Sequence, residues 1–301
     1  MIKSYILIAW RSLLRNKLHG ILNIAGLAVG ISACLVIYLI VSYELSFNRK
    51  MKGYENIYRV HSSFSGMFSG LNSGVPTPAG AFVKDNFKGV RAVAKLHTTS
   101  ANVTIPGVTE NKQFGLQSAL AVTDSGFFEV FASYEWIAGS PAVLETPFTV
   151  VLRESQAKKY FGTSDPAVVI HKEVIYNDSL RTSVLGIVKD LPFHTDLEMT
   201  EFISVSSANK SWLRGAVQDS WSSINSGTRL FILAEQDVSK DQLVSQLPLL
   251  SKEYKTHSNS TFDADNNFGI EPFSELHYSD LGIFDFSRPA AKKSTLGVMT
   301  L

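Results

Sequence analysis

The sequence is poor in the groups on which many catalytic and nucleic-acid-binding sites depend. Cys34 is the single cysteine among 301 residues, so the chain has no internal disulfide, and its one thiol lies inside an apolar stretch. The 28 basic and 27 acidic residues nearly cancel, leaving a net charge of +1. This balance argues against a nucleic-acid-binding protein, which usually carries a basic excess on one face.

Several catalytic motifs are also missing. The sequence contains no Gly-x-x-x-x-Gly-Lys-Ser/Thr segment, so it carries no P-loop ATPase, and it has no Gly-x-Ser-x-Gly nucleophile elbow. The seven histidines are scattered, without the close spacing of a zinc site. His194 and Asp196 stand two apart near Pro192, which indicates a solvated turn. We therefore expect no enzyme active site, no cofactor and no metal.

One long apolar run stands out. No charged residue occurs from Ile21 to Tyr43, and a helix over these positions is about 34 Å long, enough to cross roughly 30 Å of hydrocarbon. We predict a transmembrane helix over residues 20–43. Three alternatives are a cleaved signal peptide, a buried core helix and a lipoprotein signal. The last rests on the lipobox form of residues 31–34, although the run stays apolar after Cys34.

Two glycines give the predicted span a candidate packing face. Gly26 and Gly30 form a Gly-x-x-x-Gly pair, and small residues four apart let a second helix approach closely. The alternative is chance, because glycine is common in membrane helices. We predict Gly26 and Gly30 as helix-packing residues.

Residues 1–19, before the span, have the pattern of an amphipathic interfacial helix. Apolar residues follow helical spacing there, and Trp10, Arg11 and Arg15 are the predicted membrane anchors. The alternative is a basic segment that only sets topology. Basic residues occur on both sides of the span, so the positive-inside rule barely fixes its orientation.

Residues 44–290 mix strand and helix patterns without a long parallel repeat, so we predict an α+β domain. Alternation predicts a strand over residues 57–61 and a hairpin over 173–190 that turns at Asn177 and Asp178. Helical patterns occur within 76–87 and over 154–161, where Gly162 can end the helix. Strands are expected at 149–152 and 228–235. One amphipathic helix is expected over 239–254, with Leu243, Val244, Leu247 and Leu250 on one face.

Several segments in order carry a resemblance to a known family. They are Tyr5–Lys17, Asn23–Ile31, Glu44–Asn48, Asn56–Val60, Thr123–Phe131, Val151–Gly162 and Gly186–Pro192. With these segments the chain resembles the FtsX-like/MacB-type ABC transporter permeases over nearly its whole length. Each motif alone is modest, but their order and spacing make the resemblance specific.

The resemblance implies an architecture. After the interfacial helix and the first membrane helix comes a periplasmic core domain, expected at 44–290. It has a porter-like α/β part and an inserted strand-rich subdomain, roughly at 97–190. The N-terminus is then cytoplasmic and the protein lies in the bacterial inner membrane. Because family members normally have at least four spans, the apolar residues 294–301 are expected to start a second membrane helix in a truncated chain.

The resemblance also implies a function. We expect a permease subunit of an ABC-type exporter or mechanotransmission complex, without its own ATPase site. Its implied partners are a separate ABC ATPase, a second permease in a homodimer or heterodimer, and membrane lipid, but no nucleic acid. The alternative is a single-span membrane-anchored sensor or binding protein with an extracytoplasmic ligand domain.

Overall fold

The computed structural model describes Tyr5, Arg11, Arg15 and residues 17–65, 69–107, 109–258 and 266–278. The chain divides into two compact units, one of Met1–Ser46 with Ala291–Leu301 and one of Phe47–Ala290. The predicted second span at 294–301 and the predicted anchor Trp10 lie outside the described residues.

The first unit contains the apolar helix that the sequence predicts. Helix α1 spans Lys17–Leu45, and most of its large apolar side chains are exposed, with Val41 buried. It is the one helix in the described part of the chain whose length and composition suit a membrane span. Ser46 ends it, because its backbone N–H and its hydroxyl both donate to the Tyr43 carbonyl, at 3.1 and 2.7 Å.

The described part of the second unit alternates strands with short helices. In chain order these are β1 Ile57–Phe64, β2 Gly70–Asn72, α2 Ala79–Asn86, β3 Val90–Ile105, β4 Lys112–Thr123, α3 Gly126–Val130, β5 Trp136–Ala138, β6 Thr149–Arg153, α4 Glu154–Phe161, α5 Pro166–Val169, β7 Glu173–Tyr176, β8 Leu180–Val188, β9 Glu201–Ser204, α6 Arg214–Val217, β10 Thr228–Ala234, α7 Lys240–Val244, α8 Leu247–His257 and β11 Asn267–Pro272. The described residues also form four short 3₁₀ helices, at Tyr54–Asn56, Pro141–Glu145, Val205–Lys210 and Phe273–Tyr278.

Four strands form an antiparallel sheet in the order β11-β1-β10-β3. Helix α2 connects β1 to β3, and helices α7 and α8 connect β10 to β11. This is a split βαβ arrangement of the ferredoxin-like kind. Side chains from α2 and α8, such as Val83 and Leu250, pack with Val60 and Leu230 of the sheet in one apolar core. The porter-like α/β fold predicted from the resemblance is confirmed.

Strand β3 closes into a ring with β4, β9, β6, β8 and β7. β3 pairs with β4, β4 with β9, β9 with β6, β6 with β8, β8 with β7, and β7 returns to β3. The 16-residue β3 therefore belongs to both the open sheet and this barrel. Apolar side chains fill the barrel, among them Val103, Leu120, Val184 and Ile203. The expected strand-rich insertion has this form, while its predicted limits of 97 and 190 stay a prediction.

A third apolar core contains side chains of both the open sheet and the barrel. Its centre is aromatic, with Phe127 within 6 Å of Phe131, Tyr134 and Phe202, measured between ring centroids. Burying each such ring stabilises the fold by about 1.5–3 kcal/mol. Strands of the open sheet, strands of the barrel and helix α3 therefore share one apolar core.

Local structure agrees with the sequence in most places and differs in one. The hairpin turns at Asn177 and Asp178, which both have positive φ, and Gly162 ends α4 with φ of +77°. The prediction of one continuous helix over 239–254 was wrong, because α7 ends at Val244 and α8 starts at Leu247. In a continuous helix Pro248 would supply no N–H, and its ring would clash with the carbonyl of Val244, four residues earlier. Val244 is 40% exposed rather than buried.

Candidate functional site

The chain enters the second unit through a residue with a left-handed backbone. Asn48 has φ of +63°, a conformation that asparagine adopts more readily than most residues. It is wholly buried, and its backbone N–H donates to the His194 carbonyl at 3.0 Å. The first turn after the apolar helix is therefore fixed inside the unit.

The side-chain amide of Asn48 joins three segments that are distant in sequence. Its Nδ2 donates to Asp196 Oδ2 at 2.6 Å and to the Phe273 carbonyl at 3.1 Å. Its Oδ1 accepts from Thr195 Oγ1 at 2.9 Å and from the Asp196 N–H at 3.0 Å. Both donors and both lone pairs of the amide are used.

An aromatic stack reinforces this contact. The Phe47 ring lies 3.6 Å from the His277 ring and 5.4 Å from the His194 ring, centroid to centroid. Nδ1 of His277 lies 2.7 Å from Asp196 Oδ1. We call the set formed by Phe47, Asn48, residues 194–196, Phe273 and His277 the terminal junction, because it joins the first and last described segments of the second unit.

A buried ion pair joins the two strands next to the terminal junction. Arg59 of β1 bonds through Nε to Oε1 of Glu271 on β11 at 2.8 Å, and its Nη2 bonds to the same oxygen. Both residues are buried. A buried pair of this kind does little for net stability, but removing one partner leaves an uncompensated charge and is strongly destabilising.

Strand direction makes the terminal junction the first contact to carry a separating force. β1 begins where β11 ends, with Tyr58 opposite Pro272, since the two strands are antiparallel. A pull on the two ends would therefore peel β1 from β11 one hydrogen-bonded pair at a time. The side-chain bonds of Asn48 lie outside the first ladder pair, and the Arg59–Glu271 ion pair joins the second pair of the ladder.

The terminal junction also reaches the barrel. Residues 189–200 connect β8 to β9 and supply His194, Thr195 and Asp196. Nη2 of Arg153, at the end of β6, donates to the Leu197 carbonyl at 2.8 Å. Hydrogen bonds thereby join the first and last described segments of the second unit to a connection between two barrel strands.

The sequence-predicted site residues lie elsewhere. Arg11 and Arg15 have helical backbone and are exposed, whereas Trp10 is not among the described residues. At Gly26 and Gly30 on α1, an added Cβ would meet no atom within 4 Å, so this surface has room for another helix. The roles predicted for these five residues stay predictions.

Sequence reasoning missed the terminal junction. His194 is exposed, as a solvated turn predicts, but Asp196 is not: it is half-buried, and it receives bonds from Asn48 and His277. The reason is that its partners lie 148 and 81 positions away. The one local indication of this site was the position of Phe47 and Asn48, which follow the apolar helix after Ser46 and lie in a segment that carries the family resemblance. In the described part of the chain no cluster of metal-ligating side chains occurs.

An apolar helix followed by a ferredoxin-like sheet with an inserted barrel fits one class of domain, the core domain of MacB-like proteins. Residues 21–249 match the model of the MacB-like periplasmic core domain, and this match covers more than half of the chain. The chain belongs to that family. A comparison with curated protein sequences gives no significant match.

Solved structures have the same fold. A domain of a protein described as a permease from Porphyromonas gingivalis superposes with a TM-score of 0.59 at 16% identity, over 77% of this chain and 97% of that domain. The periplasmic region of MacB from Actinobacillus actinomycetemcomitans superposes with a TM-score of 0.50 at 16% identity, over 76% and 94%. The family and these folds support a permease-type role.

Proposed function

We propose that this chain is the permease subunit of an ABC-type exporter or mechanotransmission complex. A separate ATPase subunit hydrolyses ATP in the cytoplasm, and α1 carries the resulting movement to the second unit. The N-terminus is cytoplasmic, the protein lies in the bacterial inner membrane, and the second unit is periplasmic. The chain supplies no ATPase site of its own.

The observation that carries this proposal is the terminal junction. A domain that only binds a ligand can be attached to its anchor through a slack linker. Here only Ser46 separates the end of α1 from Phe47, and Asn48 then bonds to both the β8–β9 connection and the segment after β11. Such a direct attachment passes movement of the chain ends into the fold.

The helix and its flanking residues have stated roles in the proposal. Trp10, Arg11 and Arg15 seat the residues before α1 in the lipid interface, where aromatic rings and basic side chains are favourable. Gly26 and Gly30 pack against a helix of a second permease copy or of a related permease. The complex is thus a homodimer or heterodimer of permeases with an ATPase attached.

Copurification tests the proposal. The tagged full-length protein is solubilised in mild detergent, isolated, and analysed by mass spectrometry for proteins recovered in near-stoichiometric amount. An ABC ATPase is the expected partner. An unrelated single-span membrane protein, tagged and purified in the same way, controls for non-specific recovery. Recovery of the full-length protein without any ABC ATPase contradicts the proposal and favours the single-span sensor.

A further inference from the structure

A buried carboxyl group lies inside the barrel, away from the terminal junction. Glu201 is the first residue of β9 and has no exposed surface. Its Oε1 accepts hydrogen bonds from Tyr160 Oη at 2.6 Å and Gln156 Nε2 at 2.9 Å, both on helix α4. Its Oε2 accepts from Tyr176 Oη of β7 at 2.5 Å. Three elements of the barrel therefore meet at one carboxyl group.

The described residues supply this carboxyl group with hydrogen-bond donors but with no salt bridge. Lys159 acts on it only through space, since its Nζ donates to Gln117 Oε1 at 2.5 Å and its side chain is exposed. A buried carboxylate without a cation is expensive, so such a group commonly takes up a proton instead. Nothing in the proposed function requires a titratable group at this position.

We infer that Glu201 is a proton-binding site whose occupancy sets how firmly helix α4 is held in the barrel. The three bonded side chains suit both states of the carboxyl group. When it is ionised, both tyrosine hydroxyls and the Gln156 amide donate to it. When it is protonated, it donates to one of the tyrosine hydroxyls, which rotate freely enough to accept.

The electrostatics favour the protonated state. Burial raises the pKa of Glu201, and the hydrogen bonds from Tyr160, Tyr176 and Gln156, together with Lys159, only partly oppose it. Burial and the nearby carboxyl group raise the pKa of both Tyr160 and Tyr176, so the tyrosines stay neutral. The proton therefore resides on Glu201 over a wider pH range than on an exposed glutamate.

Helix α4 contacts both strand β4 of the barrel and the connection that leads to the terminal junction. β9 pairs with β4 only from Leu120 to Thr123, and α4 contacts the part of β4 that β9 leaves unpaired. The Tyr160 ring lies 4.8 Å from the Phe114 ring, centroid to centroid. The hydroxyl and the N–H of Ser155, at the other end of α4, bond to Asp190, just before the segment that supplies the terminal junction.

Hydrogen exchange in the full-length protein in detergent tests this inference. Exchange of residues 154–161 is followed across a pH series and corrected for the intrinsic rate. Because the folded state binds the proton more tightly than the unfolded state, stabilisation is complete at low pH and is lost as pH rises through the folded pKa. The wild type should therefore protect α4 more at low pH, and Glu201→Gln should lose that pH dependence.

Two further variants make the test specific. Tyr176→Phe removes a donor to the ionised form, so the midpoint of the pH profile should move to higher pH. Glu173→Gln changes an exposed glutamate on β7 and should leave the profile as in the wild type. If Glu201→Gln does not fold, the pH profiles of the wild type and of Tyr176→Phe still test the inference. The inference is overturned by a wild-type profile without pH dependence, by a Glu201→Gln profile that keeps it, or by an unshifted Tyr176→Phe profile.

Discussion

The side-chain amide of Asn48 donates a hydrogen bond of 2.6 Å to the carboxylate of Asp196, although 148 positions separate the two residues. The same carboxylate lies 2.7 Å from Nδ1 of His277 near the other end of the described chain. One aspartate thus joins the first and last described segments of the second unit. The β8–β9 connection therefore bonds to both segments.

Asn48→Gly should destabilise the second unit by about 1–3 kcal/mol, because it leaves buried partners of the amide without a hydrogen bond. Glycine keeps the left-handed backbone at φ of +63° without strain. Asn48→Ala loses the same bonds and also strains the backbone, for a further cost of about 1–2 kcal/mol. Urea unfolding in detergent measures both. An alanine variant as stable as the glycine variant contradicts the backbone argument.

Arg59→Met should destabilise the fold by about 3–5 kcal/mol, because buried Glu271 loses the hydrogen bonds that the Arg59 guanidinium donates to it. Replacing both residues by methionine should recover most of that loss. A double-mutant cycle on urea unfolding measures the coupling. The exposed Arg181–Glu173 pair is the matched control and should couple by less than about 1 kcal/mol. A double variant no more stable than Arg59→Met contradicts the interpretation.

Gly186→Ala should destabilise the barrel by about 1–3 kcal/mol through overpacking. A Cβ at this position would lie 2.7 Å from Trp136 Cζ3 and 3.0 Å from Val151 Cγ2. Gly215→Ala is the matched control, because a Cβ there meets no atom within 4 Å and its helix gains from alanine. Thermal unfolding of the two variants compares them. Equal melting temperatures for the two variants would contradict the close packing around Gly186.

Acid should destabilise the second unit through His61. Burial, with smaller contributions from Arg59 and Lys240, lowers the pKa of His61 from 6.5 to about 4. The unfolded chain then binds the proton more readily, so stability is complete above about pH 6.5 and is lost as pH falls towards 4. His61→Gln should reduce the pH dependence of the urea unfolding midpoint over this range. The substitution His257→Gln, at an exposed histidine, should not. Identical profiles for all three proteins contradict the prediction.

Local features of the fold were predictable, and those that depend on distant residues were not. The turn at Asn177–Asp178 and the end of α4 at Gly162 follow from backbone preferences of residues adjacent in sequence. Closure of the barrel requires β7 to pair with β3, across about 70 residues, and no local pattern encodes it. Glu201 likewise has its partners on α4 and β7, so an isolated glutamate at the start of a strand gave no signal.

The candidate site was accessible from the sequence only through the resemblance. Residues 44–48 carry part of it, and they include Phe47 and Asn48. Their contacts with residues 194–196 and 273–277 depend on tertiary structure, because hydrogen bonds across more than 100 positions leave no spacing pattern. The contacts of the terminal junction could therefore be identified only from the structure.

Hydrogen exchange of residues 191–200 with and without ATP tests the central claim most directly. The full-length protein is studied with the ATPase that copurifies with it, and an ATPase variant unable to hydrolyse ATP serves as the control. If the terminal junction transmits movement, ATP hydrolysis should change exchange in residues 191–200 and 273–278, and Asn48→Gly should abolish the change in 191–200. Exchange in both segments that is the same with ATP, without ATP and with the inactive ATPase contradicts the account.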